Sequence, residues 1–302
     1  MGDKFSLKRY DEKEYIIRDE MEIIIGRFIL AEEDKSNNYI SFRFYFYREE
    51  ENLVSLSLSR LIDMYRQSGF HKISIYSESP YKSYSDLGLQ LEGIIKGRIK
   101  DGSSYKSLYI YGINLFSERC INKGVPILFG ERIKLRILTP EDSEDLLNYH
   151  IRNRDYLRPF DPLRKEDFFT IEAQIKDIER SFSDYLDKKV YNFGIFKEEK
   201  FIGKIRISTI VYGVFHNAFI GYSIDKEERR KGYMKEAVKL VADFCFNELD
   251  IHRIEASTLT DNTASQKVLL SSGFNKIGLC SKYLFINGEW RDHYTFYKLK
   301  EN

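Results

Sequence analysis

Glu228-Arg229-Arg230-Lys231-Gly232-Tyr233-Met234-Lys235-Glu236-Ala237 is the stretch whose reading organises this chain. It follows a short apolar run, Phe219 to Ile224, that reads as a strand. It opens a run with helical spacing: Ala237, Val238, Leu240, Val241, Phe244 and Cys245. A strand, a basic turn with one glycine and a helix start form an anion-binding arrangement. The first N–H groups of a helix lack backbone partners, and the helix dipole favours negative charge there. Gly232 lets the backbone come close, and the cations around it add long-range attraction. A solvated surface turn can have the same composition. The stretch is neither a Walker A loop nor a G-x-G-x-x-G dinucleotide loop.

Downstream, Asp250 to Thr258 alternates apolar and polar residues like a strand. Asp261-Asn262-Thr263-Ala264-Ser265 is a cap-rich entry to a helix through Val268-Leu269-Leu270, and Gly273 suits its left-handed end. Tyr283 to Tyr297 reads as a hairpin turning at Asn287-Gly288.

In this order the segments resemble the GNAT acetyltransferases, and within them the RimJ/RimL group of ribosomal-protein N-terminal acetyltransferases, the RimJ branch most of all. The carrying segments are Asn153 to Pro162, Gly213-Val214-Phe215-His216 with Gly221-Tyr222-Ser223-Ile224, and Asn287 to His293; Gly130 to Arg136 resembles the first strand. The resemblance covers about Gly130 to Lys300. It implies a donor, acetyl-CoA, and no metal. It implies that Arg229, Arg230, Lys231, Gly232, Tyr233, Met234 and Lys235 form the pyrophosphate loop. Tyr222, Ser223 and Ile224 then match the strand that carries the pantetheine, and Asn262 matches an asparagine near that arm. Met234 replaces a usually small residue and is expected to narrow the approach.

The first half reads as a shortened repeat. Tyr15 to Leu30 is a hairpin like Tyr191 to Ile207, Tyr39 to Tyr47 a strand like Phe219 to Ile224, and Leu53 to Tyr65 an amphipathic helix. Gly69 to Ile75 echoes Asp250 to Ala256, and Lys100 to Tyr105 echoes the Asn287-Gly288 turn. There is no room for the first two helices. The expected fold class is therefore α+β: tandem GNAT-like domains, each a mixed, mostly antiparallel twisted sheet flanked by helices. Residues 1–126 form the degenerate copy and residues 127–302 the acetyltransferase domain. The alternative is an unrelated α+β domain in the first half. Where the copy's pyrophosphate loop belongs stands Arg48-Glu49-Glu50-Glu51-Asn52, which repels a pyrophosphate and has no glycine. Phe42, Phe44 and Phe46, with Tyr39, Tyr45 and Tyr47, need cover from water, and the second half is the expected cover.

Composition agrees with a globular pair of domains: 42% hydrophobic, 31% charged, net charge +1. That balance gives no bulk pull toward nucleic acid or membrane. No apolar run approaches the roughly 20 residues of a membrane span. The N-terminus lacks the apolar stretch of a secretory signal. Cys120, Cys245 and Cys280 have no metal spacing, and Cys245 lies on an apolar helix face. A reducing, cytoplasmic setting is expected.

Acetylating a primary amine needs a neutral nucleophile, a donor to the carbonyl oxygen and an acid for the leaving thiolate. The family's tyrosine acid falls at Leu269, which cannot donate; Ser265 matches the serine acid of the RimL group, although a serine there can simply cap a helix. The family's strand glutamate falls at Phe219, so His216 or Asp161 would have to act instead. Arg291, Asp292 and His293 alternate faces in a strand and cannot act as one cluster. The expected function is acetyl transfer to a primary amine, such as a ribosomal-type protein N-terminus. Alternatives are a small-molecule acceptor or a non-catalytic acetyl-CoA-binding scaffold.

Overall fold

A computed structural model describes residues 5–48, 50–116 and 125–301. The chain divides into two compact units, residues 1–124 and 125–302. Each unit has its own sheet. Glu49, Cys120 and the connecting residues 121–124 lie outside the described residues.

The first unit begins with an antiparallel meander, β1 (Phe5–Arg9), β2 (Glu14–Asp19), β3 (Ile24–Asp34) and β4 (Tyr39–Phe46). Helix α1 (Glu51–Gln67) crosses to β5 (Lys72–Ser77), which lies parallel to β4. A short α2 (Ser83–Asp86) leads to the hairpin β6 (Gln90–Asp101) and β7 (Ser104–Asn114). The sheet order is β1-β2-β3-β4-β5-β7-β6.

The second unit starts with β8 (Ile127–Phe129) and β9 (Lys134–Ile137), followed by α3 (Ser143–Arg152), α4 (Arg154–Leu157) and α5 (Ile171–Leu186). Next come β10 (Tyr191–Lys197), β11 (Lys200–Val211), β12 (Asn217–Ile224), α6 (Tyr233–Asn247), β13 (Arg253–Leu259), α7 (Thr263–Ser271), β14 (Asn275–Ile286) and β15 (Glu289–Leu299). The order is β14-β15-β13-β12-β11-β10-β9-β8. With β8 set aside, β9 to β15 repeat the order and directions of β1 to β7. Among the described residues, the only parallel pair in each unit is the one that the crossover helix connects. The first unit replaces α3, α4 and α5 with a tight hairpin between β1 and β2.

Sequence explains the main elements. Alternation puts Ile254, Ala256 and Thr258 of β13 on a buried face, with Arg253, Glu255 and Ser257 half-buried on the other. Helix α6 buries Ala237, Val238, Val241, Ala242 and Cys245, and its Phe244 ring packs on Tyr191 and Phe193 of β10 at 5.5 and 5.6 Å. Thr170 caps α5 by accepting from the Ala173 amide at 3.3 Å. Asn287 and Gly288 both have positive φ, the geometry a two-residue hairpin needs.

Helix α1 corrects one expectation about the first unit. Its Val54, Leu58, Leu61 and Ile62 are buried, and its Tyr65 ring stands 5.3 Å from Phe42. Phe42 and Phe44 also pack on Phe28, which stacks on Phe44 at 4.6 Å. Phe42 and Phe44 thus find apolar cover inside their own unit, while Tyr47 stays 53% exposed.

The units differ most at their parallel pair. Strands β4 and β5 stay in register from Tyr39↔Lys72 to Phe44↔Ser77. Strands β12 and β13 pair only at Asn217↔Arg253, Ala218↔Ile254 and Phe219↔Glu255, and then part. The second sheet therefore holds an open V, and the first holds a closed seam.

Phe28 is fully buried at the centre of the first unit's aromatic cluster. Replacing it by alanine removes a stacked ring and leaves a cavity, at a cost of about 3–5 kcal/mol. Phe28→Ala should lower the urea midpoint of the first unit, read by backbone amide exchange in β3 and β4. Unchanged protection there would contradict the packing described.

Candidate functional site

The V exposes one edge of β12. From Gly203↔Ile224 to Ile207↔Ile220 that strand stays bonded to β11 on its other side. Beyond Phe219, the peptide groups that face β13 have no strand partner there, so this edge offers donors and acceptors to an extended ligand. Tyr222, Ser223 and Ile224 lie on this stretch. The Tyr222 side chain points to α7: its hydroxyl is 3.0 Å from Ser265 Oγ and donates to the Ser265 carbonyl at 3.3 Å. Burial pushes the Tyr222 phenol well above its ordinary pKa. Ser223 points to the opposite face, where the Tyr149 hydroxyl donates to its Oγ at 2.9 Å.

The basic turn closes the wide end of the V. Arg230 and Gly232 hold positive φ, 60° and 86°, and Gly232 caps α6 without any side-chain cap bond. The leading amides of α6 are therefore left for a ligand. The neighbouring side chains are arranged around the turn. Lys231 donates to the buried carboxylate of Glu228 at 2.8 Å, with Lys200 on its other oxygen at 3.3 Å. These cations hold Glu228 below the usual carboxylate range. Arg229 lies 4.5 Å over the Tyr156 ring, and Arg132 lies 5.1 Å over Tyr233 while donating to the Lys231 carbonyl at 2.9 Å. Lys235 is exposed. Met234 is only 6% exposed and turns into the core, so the expected narrowing does not arise.

Polar residues that sequence reasoning missed tie the turn to α3. Arg152 donates to Asp225, and the Lys226 amide donates to Asn153 Oδ1 at 2.9 Å. Burial pushes the Asp225 carboxyl up, but Arg152 and the Glu227 amide outweigh it and hold it low. Asn153 was visible only as part of a resembling segment. Its task depends on a contact with residue 226, which no local pattern announces.

Asn262 caps α7: its Oδ1 accepts from the Ser265 amide at 3.1 Å. That fixes Ser265 in the first turn, beside Tyr222. Leu269 is buried and only 1% exposed, with no polar group to contribute. Asp161 is half-buried, and its charge acts on both Tyr149 and Lys204. Burial lowers Lys204 against that attraction, and burial with Lys204 and Arg164 nearby lowers His150 to about 2. Lys204 Nζ is 3.4 Å from His150 Nε2. Asp161 thus joins a polar group on the Ser223 side of the sheet.

His216 does not reach the V. It precedes β12 at the closed end of the strand pair, and its Nδ1 is 2.8 Å from the Asp250 carbonyl. Its own carbonyl accepts from the His252 and Arg253 amides. In the C-terminal hairpin, Arg291 donates to Asp261, Asp292 accepts from the Lys282 amide, and His293 is buried with Nδ1 3.0 Å from the Arg291 carbonyl. The three side chains thus have different partners, and Asp292 faces away from the other two, as strand alternation requires. No metal-binding group of His, Cys, Asp or Glu occurs among the described residues, and none of their helices is long and apolar enough to cross a membrane. Burial raises the Cys245 thiol to about 12, in keeping with a core cysteine.

Comparison with known proteins agrees with this geometry. Residues 132–275 match the acetyltransferase (GNAT) domain. The chain is 41% identical to the Probable N-acetyltransferase YjcK of Bacillus subtilis over 55% of its own length and 93% of that protein. It is 32% identical to the [ribosomal protein uS5]-alanine N-acetyltransferase of Escherichia coli, over 55% of this chain and 87% of that one. The crystal structure of the ribosomal-protein-S5-alanine acetyltransferase of Vibrio fischeri superposes with a TM-score of 0.56 at 34% identity, over 59% of this chain and 98% of that one. With its split parallel pair, its glycine-capped helix and these relatives, the chain belongs to the GNAT acetyltransferase family and is an acetyl-CoA-dependent N-acetyltransferase.

Proposed function

We propose that the second unit acetylates the α-amino group of a protein N-terminus, of the ribosomal-protein kind. Similarity across 87% of the uS5-alanine enzyme is the observation that carries this reading. The open edge of β12 at Tyr222, Ser223 and Ile224 would hold the pantetheine. The amides from Arg230 to Lys235 would hold the pyrophosphate, with Arg229 and Lys231 adding charge, and Asn262 would present its free amide nitrogen to the arm. Ser265, paired with Tyr222, is the candidate donor to the departing thiolate. Asp161 is the candidate attractor for the acceptor's ammonium. His216, occupied at the closed end, is the weakest of the candidates. A cytoplasmic setting suits this chemistry.

The first unit is read as a shortened copy of the same fold that has lost its donor site, with the two domains meeting near residue 126. Its seam between β4 and β5 is paired shut, and no glycine precedes α1. The Glu51 carboxylate at that helix start instead accepts from the Lys82 and Ser83 amides at 3.1 and 3.3 Å. Calorimetry on the whole chain should therefore find one acetyl-CoA site; a second equivalent site would refute the loss.

Gly232→Val should weaken acetyl-CoA binding about tenfold or more. A side chain at φ 86° costs about 1–2 kcal/mol in backbone strain and shifts the loop amides. An added Cβ would also meet an Arg132 nitrogen at 3.1 Å. Wild-type affinity in a folded variant would mean that the loop does not hold the donor.

Ser265→Ala should lower kcat by about 10²-fold and leave the KM for acetyl-CoA nearly unchanged. A drop in melting temperature alone would reduce the serine to a structural role. An alanine-initiated peptide should be acetylated faster than free amino acids or polyamines. The reverse order would favour a small-molecule acceptor.

A further inference from the structure

The family's strand glutamate falls at Phe219, so the acceptor side of β12 lacks its carboxylate. The strand register shows where another one stands. Phe219 is paired with Glu255, the last matched position before β12 and β13 part. Paired residues in adjacent strands project from the same face. Following the register outward, Ser208 of β11 pairs with Phe219, and Lys204 with Ser223. Across β11, β12 and β13, Glu255 is the only carboxylate on this face, and it sits at the apex of the V.

The environment of Glu255 fits a group that meets a substrate. It is half-buried rather than exposed on a solvated surface. Arg253 Nε donates to its Oε1 at 2.6 Å, while the Arg253 guanidinium rests 4.4 Å over the Tyr297 ring. One oxygen is therefore fixed by a neighbour that is itself held in place, and Oε2 accepts no hydrogen bond from the described residues. The charge of Glu255 also reaches Tyr283 of β14, whose phenol burial, Cys280 and Glu255 together raise. Tyr283 in turn lies 5.8 Å from the ring of His293. The groups facing Glu255 are thus Arg253 on its own strand, Tyr297 on β15 and Tyr283 on β14, with Phe219 beside it.

We propose that Glu255 is the catalytic carboxylate of this enzyme, displaced by one strand from the position occupied in the family. This rests on the amine-acetyltransferase reading. The acceptor's ammonium would donate to Oε2 and give up one proton to the carboxylate. The freed lone pair forms the N–C bond at the thioester carbonyl. The C–S bond then breaks, the thiolate takes a second proton from the former amine by way of the site's hydroxyls, and the third stays on the amide. Glu255 finally returns its proton to solvent.

The test is Glu255→Gln in the full-length protein. Glutamine keeps the volume and an acceptor for Arg253, so a purely structural role would survive. The acceptors are an alanine-initiated peptide, free amino acids and a polyamine, and the variant is read on whichever the wild type acetylates fastest. The expected result is a fall in kcat/KM for the amine of about 10²-fold or more, with loss of the acidic limb of the pH–rate profile. Calorimetric acetyl-CoA affinity and melting temperature should stay at wild-type values. Glu255→Asp should recover part of the rate. A rate within threefold of wild type, or a parallel loss of acetyl-CoA binding and melting temperature, would overturn the proposal. Wild-type turnover reports separately on the underlying reading: peptide turnover supports the protein acceptor, turnover of another amine replaces only that acceptor, and turnover of none removes the reading and the proposal together.

Discussion

The parting of β12 and β13 is the constraint on which the site depends. Two parallel strands that stay paired satisfy each other's peptide groups. Two that diverge leave an edge unsatisfied, and a buried unpaired peptide group is costly. The second unit accepts this opening and surrounds it with elements held firmly in place. Helix α6 starts at a left-handed glycine beyond the wide end, α7 starts at an asparagine cap beside the opening, and α3 anchors the basic turn through Arg152 and Asn153. The cleft keeps its shape because its walls are bonded elsewhere.

The two sheets act as an internal control. They share strand order, directions and a crossover helix, and they differ in whether the parallel pair is continuous. Where the seam is closed, the helix start carries acidic residues and lacks the glycine. Where it is open, the helix start carries the glycine and the basic turn. Seam and helix start vary together, as expected when both serve one extended anionic ligand.

Much of this was legible in the sequence. The basic turn, the Asn262 cap and the Asn287-Gly288 hairpin follow from local rules of spacing and turn chemistry. The repeated strand order was visible too, because alternation and amphipathic spacing mark the strands and the crossover helix in both halves. What escaped was of two kinds. Contacts such as Asn153 with the Lys226 amide join residues remote in sequence, and no local pattern records them. Direction of side chains was the other: Met234 looked obstructive in a one-dimensional loop, yet the start of the helix turns it inward. His216 is of the same kind: in sequence it stands beside the strand, yet its ring lies against the Asp250 carbonyl. The relation of Glu255 to Phe219 lies in strand register, which a linear sequence does not carry.

The open V makes the second sheet a sheet with a gap in it. An extended ligand bonded along β12 would fill that gap much as a further strand does, and would then be part of the folded architecture. A ligand that binds only the folded form stabilises it by about 2.7 kcal/mol when present at a hundred times its Kd. Donor bound there would make the durability of this unit follow the supply of activated acetyl groups. The first unit, with β4 and β5 paired from Tyr39 to Phe44, has no such gap to fill.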